Sequence, residues 1–308
     1  MSRDYPTWAV RGEDIECLES LSMADFEERA RRGRPFIVRN AAANCRAVKT
    51  WSPEHLKSKL GTTEIHVYVS IDGSFEGGMG PWDESKKRVV MMPFGELVDR
   101  LHEPERFSPI LGHGEKYYAY QTPAGFYEPV LPDLERPAFF PEAARKAPPS
   151  VWVSSAGSMT PPHTDCAIDN LFLQIVGKKR VLLWDPSQAP LLYIRPFGVV
   201  HSRQSAFDAR NVDLDAFPQL REARAAIGEV GAGDALFIPK SWIHLVITET
   251  FSVSATFWYA ELERLHSALV EFAEALLETP EPIRGQYLHL LGWQESVANE
   301  VRRYKLPT

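Results

Sequence analysis

The spacing of apolar residues changes character near residue 150 of this chain. Before that point, stretches with a helical period alternate with stretches that repeat every second residue, which predicts a mixed region of helices and strands. Ser22 with Asp25 marks one helix start, and Ser52 before Pro53 marks another. The predicted helices span 26–33, 53–61 and 93–101, the predicted strands 35–38, 65–69 and 117–120, and a predicted loop spans 72–88.

From residue 150 to 260 the chain favours strands, because short apolar runs alternate with turns that contain glycine. Turns are predicted at Gly177 and at 231–234, and the polar stretch 197–224 is predicted to be an irregular excursion. Many short antiparallel strands indicate a double-sheet jelly roll, a mainly β fold with flanking helices. The predicted strands cover 151–153, 171–176, 180–184, 235–238 and 251–259.

Beyond residue 260 the helical period returns. Apolar residues recur at intervals of three or four in two stretches, 262–276 and 283–301. A closed barrel leaves such helices little core to cover, so they either join two chains in a homodimer, which we favour, or pack on their own barrel. The predicted regions are an N-terminal α/β region that packs on the barrel (1–120), a jelly-roll core (121–260) and a C-terminal helical pair (261–308).

The composition is that of a soluble globular protein, with 44% hydrophobic and 24% charged residues in a chain of 308. The net charge of −7 argues against a general nucleic-acid-binding protein, although it leaves room for a local basic patch. The three cysteines have neither zinc-site nor disulfide spacing, which favours a reducing compartment. Because neither a signal peptide nor a membrane-spanning run is recognised, we expect a cytoplasmic protein without membrane attachment.

The strongest chemical signal is the run Pro162-His163-Thr164-Asp165, followed beyond a strand-rich stretch by His244. In a strand, residues two apart face the same side, so His163 and Asp165 can reach one metal ion together. A distant strand would then supply His244. Two imidazoles and one carboxylate on one face suit Fe(II) and leave three positions open for a co-substrate and O2. These three residues are the predicted metal ligands and catalytic residues.

A single carboxylate beside a divalent cation leaves the centre positive, which favours an anionic, chelating co-substrate such as 2-oxoglutarate. The far carboxylate of 2-oxoglutarate would need a cationic or hydrogen-bonding partner inside the fold. Lys179 is a candidate because it begins an otherwise apolar strand, and Thr160 and Tyr118 could add hydroxyl donors. On composition alone, the charged run 178–180 favours a solvated hairpin over an inward Lys179.

Three segments, 160–165, 170–180 and 231–244, together resemble the JmjC (cupin-like) Fe(II)/2-oxoglutarate oxygenases, and in particular the hydroxylase branch of that family. The resemblance implies a double-stranded β-helix, which is a jelly roll. It also implies Fe(II) as the metal, with 2-oxoglutarate and O2 as co-substrates. Relatives of this type often dimerise through C-terminal helices, which suits residues 261–308.

Two groups of hydroxylases within this family share further segments with the chain. Hydroxylases of a modified tRNA base are similar at 34–38 and 115–118, and asparaginyl hydroxylases are similar at 203–205 and 257–259. The resemblance therefore implies insertion of oxygen into a C–H bond with release of succinate and CO2, but it does not name the substrate.

The resemblance also implies roles for individual residues. It makes His163, Asp165 and His244 the iron ligands, and it makes Lys179 the partner of the distal carboxylate of 2-oxoglutarate. Four residues separate Asp165 from the following asparagine where the family has three, so Asp169 is an alternative for the asparagine's role. The further residues expected to hold the co-substrate are Thr160, Tyr118, Asn170 and Thr256, the last standing where asparaginyl hydroxylases have asparagine.

We expect a hydroxylase of a protein or peptide side chain, because the chain is acidic and 203–205 is similar to asparaginyl hydroxylases. The alternative is a hydroxylase of a modified tRNA base. In that case the arginines within 29–39 would contact phosphate, whereas they otherwise form a solvated helix face. A small-molecule substrate, removal of an N-methyl group by the same chemistry, and a metal-binding cupin without turnover remain as further alternatives.

Overall fold

The fold is built from two facing β-sheets, with helices packed on the outside of the larger one. A computed structural model describes residues 6–75, 85–141, 145, 149–165, 169–195 and 203–259. Within these residues the chain is the mainly β, double-sheet jelly roll that the sequence predicts. The helical pair predicted over 261–308, and the homodimer contact assigned to it, lie outside the described residues.

The smaller sheet has five strands among the described residues, and it carries the candidate metal ligands. Its strands are β1 (Val10–Asp14), β8 (Met159–Thr164), β10 (Lys178–Trp184), β11 (Arg224–Gly231) and β13 (Ile243–Thr248). They lie in the order β1-β11-β10-β13-β8, and all pair antiparallel except β1, which runs parallel to β11. The central strand β10 alternates faces, so that Val181 lies between the sheets while Leu182 and Trp184 lie outside.

The larger sheet has nine strands within the described ranges, and its inner face covers the smaller sheet. In spatial order the strands are β2 (Glu16–Leu18), β3 (Phe36–Val38), β12 (Ala235–Ile238), β9 (Asp169–Val176), β14 (Ser252–Tyr259), β7 (Ser150–Ser154), β6 (Lys116–Pro123), β4 (Glu64–Ser70) and β5 (Lys87–Pro93). The N-terminal strands are thus part of both sheets, since β1 extends the smaller sheet and β2 and β3 extend the larger.

The helices cover the outer face of the larger sheet. They are α1 (Met23–Arg32), α2 (Arg46–Thr50), α3 (Pro53–Leu60) and α4 (Phe94–His102). The predicted caps form, because the hydroxyl of Ser22 accepts a hydrogen bond from the backbone N–H of Asp25 and that of Ser52 accepts one from His55. Phe26 and other apolar helix residues pack against the outward residues of the sheet. None of the described helices combines the length and the apolar character that a membrane span requires.

A single residue carries the chain from the larger sheet to the smaller one. Gly177 separates the end of β9 from the start of β10, and its φ of 77° lies in the left-handed region. A Cβ atom at this position would collide with the carbonyl oxygen of Phe251. Only glycine avoids both penalties, so the turn predicted here depends on this residue.

The excursion after β10 covers the outer face of the smaller sheet. Within its described part, Phe207 and Leu220 are buried in one apolar cluster with Trp184. Trp8 stacks on Trp184 with ring centroids 6.1 Å apart, and its indole N–H donates to the carbonyl of Ala209 over 2.9 Å. The stretch predicted to be an irregular excursion therefore supplies the second layer of core on this side.

The strands that the sequence pattern does not predict lie mostly at sheet edges. Both β1 and β2 are short and mostly exposed, so they lack the apolar alternation that marks a half-buried strand. The loop predicted over 72–88 is corrected at its end, because β5 begins at Lys87 and forms the far edge of the larger sheet. The strand β11 carries two alanines and two glycines in place of large apolar residues, which hides its pattern.

Candidate metal centre

The two candidate histidines lie on neighbouring strands of the smaller sheet. His163 on β8 and His244 on β13 are direct partners in the antiparallel register, so both side chains face the space between the sheets. Their ring centroids are 4.1 Å apart. Asp165 follows the last residue of β8 and completes the group, in which one ligand atom from each residue lies within 4.8 Å of the others. The three residues that the sequence singles out are therefore brought together.

The hydrogen bonds of the two imidazoles point the same ring nitrogen toward the centre. The Nδ1 atom of His163 lies 2.8 Å from the carbonyl oxygen of Pro161, and that of His244 lies 3.2 Å from the carbonyl oxygen of Trp242. A backbone carbonyl can only accept, so each Nδ1 carries the proton. Each Nε2 then keeps its lone pair free for a metal ion.

The carboxylate of Asp165 lies between the two free nitrogens. One oxygen is 4.0 Å from Nε2 of His163 and the other is 3.7 Å from Nε2 of His244. Burial and the neighbouring His244 lower the pKa of His163 to about 4. Burial would raise the pKa of Asp165, but His244, His163 and a hydrogen bond from Asn170 lower it below its usual value. At neutral pH the site thus offers a neutral His163 and an ionised carboxylate.

These features fit a divalent transition metal. Two nitrogen donors and one oxygen donor on one face are the set that non-haem Fe(II) uses, and three coordination positions stay open. A metal held this way would draw its ligands from β8, from the residue after it, and from β13.

A bulge in β8 brings Thr160 onto the same face as the metal ligands. Two residues lie between Thr160 and His163 on β8, whereas only one lies between their partners Val246 and His244 on β13. The extra residue reverses the alternation, so Thr160 faces inward although simple counting places it outside. Its side chain is buried.

Lys179 is buried between the sheets and only 1% exposed. Its Nζ atom donates to the hydroxyl of Ser254 over 3.2 Å and lies 5.7 Å from the ring centroid of Tyr118 and 5.4 Å from that of Phe172. Burial lowers the pKa of Lys179 to about 7. Among the residues that the structure describes, no carboxylate forms an ion pair with it.

The solvated-hairpin interpretation of the charged run 178–180 holds for Lys178 and fails for Lys179. The side chain of Lys178 is 42% exposed and pairs with Glu229 and Glu249 on the outer face. Strand alternation then turns Lys179 inward, on the same face as Leu183, which is the register partner of His244. The buried lysine and the metal ligands therefore share one interior.

Asn170 contacts the metal ligands, and Asp169 does not. The Nδ2 atom of Asn170 donates to a carboxylate oxygen of Asp165 over 2.8 Å. Asp169 instead accepts the backbone N–H of Lys240 over 2.8 Å and so holds the turn before β13. Of the two residues that the sequence left open, Asn170 is the one beside the metal centre. Thr256 is buried and accepts the indole N–H of Trp152 over 3.0 Å.

Several residues around this interior were not predicted. Ser254 and Phe172 contact Lys179, and Gln204 lies directly opposite His163 in an isolated antiparallel bridge. A period of two could have revealed some of them, because Ser252, Ser254 and Thr256 place hydroxyl groups on one face of β14. The position of Gln204 had no such signal, because its pairing with β8 closes a long excursion.

The arginines offered as a phosphate contact are largely paired with acids. Arg29 lies 2.7 Å from Glu16, Arg39 lies 2.6 Å from Asp234, and Arg32 pairs with Glu28. Arg34 lies 4.0 Å from Glu13. These pairs make the cluster close to electrically neutral as a surface.

Comparison with known proteins places the chain among proteins of related architecture. The cupin-like domain family matches residues 23–264. The chain is 28% identical over 258 residues to tRNA wybutosine-synthesizing protein 5 of Homo sapiens, which covers 80% of this chain and 77% of that protein. It is 25% identical over 275 residues to lysine-specific demethylase JMJ31 of Arabidopsis thaliana, a match that covers 78% of this chain and 48% of that protein. HSPB1-associated protein 1 of Bos taurus is 38% identical over 128 residues, covering 40% and 26%.

Proposed function

Because the chain belongs to the cupin-like domain family and fits its JmjC hydroxylases, we propose that it is an Fe(II)- and 2-oxoglutarate-dependent hydroxylase. The observation that carries this proposal is a two-histidine, one-carboxylate group that shares one interior with a buried lysine. The ligand group alone would suit a metal-binding cupin without turnover. The lysine is the part that needs a further explanation.

Lys179 has one hydroxyl partner among the described residues, and a buried lysine with so few hydrogen bonds is a costly arrangement in a folded protein. The binding of a carboxylate in the interior would explain the buried lysine. An ion pair with hydrogen bonds would offset the free energy that the lysine loses when it is removed from water. The hydroxyl of Ser254 accepts a hydrogen bond from Lys179, and Thr160 and Tyr118 line the same buried space. We assign to these residues the distal carboxylate of 2-oxoglutarate.

The remaining assignments follow from the ligand geometry. His163, Asp165 and His244 would hold Fe(II), which with 2-oxoglutarate and O2 supplies an oxidant for a C–H bond and leaves succinate and CO2. The carbonyl groups of Pro161 and Trp242 fix the imidazole orientation, and Asn170 orients the carboxylate.

For the substrate we favour a protein or peptide side chain. The backbone of Arg203 to Ser205 lies beside β8, with Gln204 directly opposite His163. Residues opposite each other in an antiparallel pair face the same side, so Gln204 borders the metal centre and can offer an amide to a polar side chain. The net charge of −7 also suits a protein substrate better than a polyphosphate backbone.

The second candidate is a modified tRNA base, which is favoured by the name and the coverage of the human relative. The arginine pairs on and near α1 weigh against a phosphate contact at that cluster, because their charge is already balanced. The name of the Arabidopsis relative also makes removal of an N-methyl group a candidate outcome of the same chemistry. A homodimer through 261–308 and a cytoplasmic location remain proposals.

Succinate release tests the activity itself. The protein with Fe(II), O2 and 2-oxoglutarate should form succinate, and His163→Ala should abolish it while the fold is retained. If the metal-loaded wild-type protein forms no succinate, the result favours a metal-binding cupin without turnover.

Mass spectrometry identifies the substrate class. Peptide pools, protein extracts and bulk tRNA are incubated with the loaded protein in parallel. A gain of one oxygen atom in peptides supports the favoured substrate, the same gain in tRNA supports the second candidate, and loss of a methyl group identifies demethylation.

A further inference from the structure

Asn170 has one polar atom that is used and one that is not. Its side chain is only 6% exposed. The Nδ2 atom donates to Asp165 over 2.8 Å, and since a carboxylate only accepts, the nitrogen of the amide must face it. The Oδ1 atom is buried and has no hydrogen-bond partner among the described residues. A buried acceptor without a partner costs free energy, so a donor is expected when the site is filled.

The unused oxygen lies at the metal centre. In the register, Asn170 on β9 is opposite Ile238 on one side and Trp258 on the other. Ile238 belongs to the cluster between the sheets, so Asn170 faces the same interior. The oxygen and nitrogen of an amide are about 2.2 Å apart, given the C=O and C–N bond lengths. The unused oxygen therefore lies in the same interior, close to the carboxylate of Asp165.

The chemistry of the reactants limits what can satisfy this oxygen. 2-Oxoglutarate is a dianion at neutral pH and offers only acceptors, and O2 has no proton to donate. The second N–H of the Asn170 amide can serve 2-oxoglutarate, but the oxygen cannot. A donor at this position must come from the molecule that is oxidised, or from water that this molecule displaces.

We propose that Asn170 is a substrate-specificity residue, in which Oδ1 accepts a hydrogen bond from an amide N–H of the substrate while Nδ2 holds Asp165. This proposal rests on the proposed function. A peptide presents such a donor at every residue other than proline, next to the carbons that could be oxidised. One side chain thereby ties the position of the substrate to that of a metal ligand. Compounds that place only acceptors or apolar groups at this point would be rejected.

The test uses two small probes that differ by one methyl group. N-methylacetamide resembles a peptide bond and has one N–H, whereas N,N-dimethylacetamide has the same carbonyl and none. Binding to the protein loaded with Co(II) and 2-oxoglutarate under argon is followed by paramagnetic broadening of the probe signals. No turnover is required. A net hydrogen bond of about 1 kcal/mol predicts that N-methylacetamide binds about fivefold more tightly.

Two variants test whether Asn170 causes the preference for N-methylacetamide. Asn170→Leu keeps the side-chain size but removes the acceptor, and it should reduce the affinity ratio to about one. Gln174→Leu is the matched control, since Gln174 is a second buried amide on β9 whose Oε1 atom also lacks a partner within the described chain. It should keep the fivefold ratio. Cobalt content is measured for each protein, because Asn170→Leu also releases Asp165.

The outcomes separate this proposal from the proposed function. Equal affinity of the two probes in the wild-type protein overturns the role of Asn170, whatever the variants do. The same holds if Asn170→Leu binds cobalt and keeps the fivefold ratio. Succinate release decides the proposed function independently, so a protein that forms succinate but does not distinguish the probes would lose only this inference.

Discussion

Replacing Lys179 by methionine should stabilise the protein without ligands and abolish its binding of 2-oxoglutarate. Methionine has a similar length and flexibility, so it can fill the same space without a charge. In the folded protein, burial lowers the pKa of Lys179 from 10.5 to about 7. At pH 7, Lys179 is therefore fully protonated in the unfolded state but only partly protonated in the folded state.

The size of this effect follows from the two pKa values. One pKa unit corresponds to about 1.4 kcal/mol, so burying the lysine costs about 4 kcal/mol at pH 7. Between pH 7 and 10.5 the unfolded chain binds more protons than the folded one, so the stability of the wild-type protein rises with pH across this window. The advantage of Lys179→Met should fall to about 2 kcal/mol at pH 9. Loss of the hydrogen bond to Ser254 subtracts about 1 kcal/mol at both values.

Urea unfolding at pH 7 and pH 9 measures the difference in free energy of unfolding between Lys179→Met and the wild-type protein at each pH. Lys178→Met is the matched control, because that neighbouring side chain is 42% exposed and its removal should change stability by less than about 1 kcal/mol. Calorimetry with the Co(II)-loaded protein measures 2-oxoglutarate binding. Losing one partner of a buried charge pair costs about 2–5 kcal/mol, so the affinity should fall at least about thirtyfold.

Two results would refute this reasoning. If Lys179→Met has a lower free energy of unfolding than the wild-type protein at pH 7, Lys179 does not destabilise the fold without ligands. If the stability difference is the same at pH 7 and pH 9, folding does not lower the pKa of Lys179. Unchanged 2-oxoglutarate affinity would instead remove the role assigned to Lys179 in co-substrate binding.

Three further predictions concern the metal and the fold. His163→Ala should lose bound Fe(II), measured by elemental analysis, and keep its circular dichroism spectrum; retention of stoichiometric metal would contradict the ligand assignment. Gly177→Ala should destabilise the fold by more than about 3 kcal/mol in urea, because it adds a left-handed penalty to a collision with the backbone of Phe251. Gly33→Ala, where a Cβ meets nothing within 4 Å, should cost only about 1 kcal/mol; equal costs would show that the collision is relieved. Leu182→Ala, in the outer core of the smaller sheet, should cost about 2–5 kcal/mol in the same assay, and a cost below 1 kcal/mol would mean that this core is loosely packed.

The grouping of the candidate metal ligands His163 and Asp165 could be predicted because its signal is local. His163 and Asp165 are two residues apart beside a strand, and strand geometry alone places them on one side. The family resemblance added Lys179, for which composition alone favoured a solvated position. The structure then gave a physical reason for the inward position, since Lys178 uses the outer face and its acids.

Other parts of the site depend on pairings that local patterns do not contain. Thr160 faces inward only because a bulge in β8 shifts the register against β13. Asn170 rather than Asp169 contacts Asp165, because neighbouring residues of a strand face opposite sides of the sheet. Gln204 borders the centre because a long excursion returns to pair with β8.

The sequence by itself determined the kind of fold, the choice of the three candidate metal ligands and most helix starts, because alternation, turn glycines and capping residues act over a few neighbours. Tertiary structure decided which strands are adjacent, which face Thr160 takes, and that Lys179 has no acid beside it among the described residues. It also decided that the buried Oδ1 atom of Asn170, beside Asp165, has no hydrogen-bond partner within the described chain. These properties arise from contacts between residues far apart in the chain, where a shift of one residue in register reverses the face of every side chain.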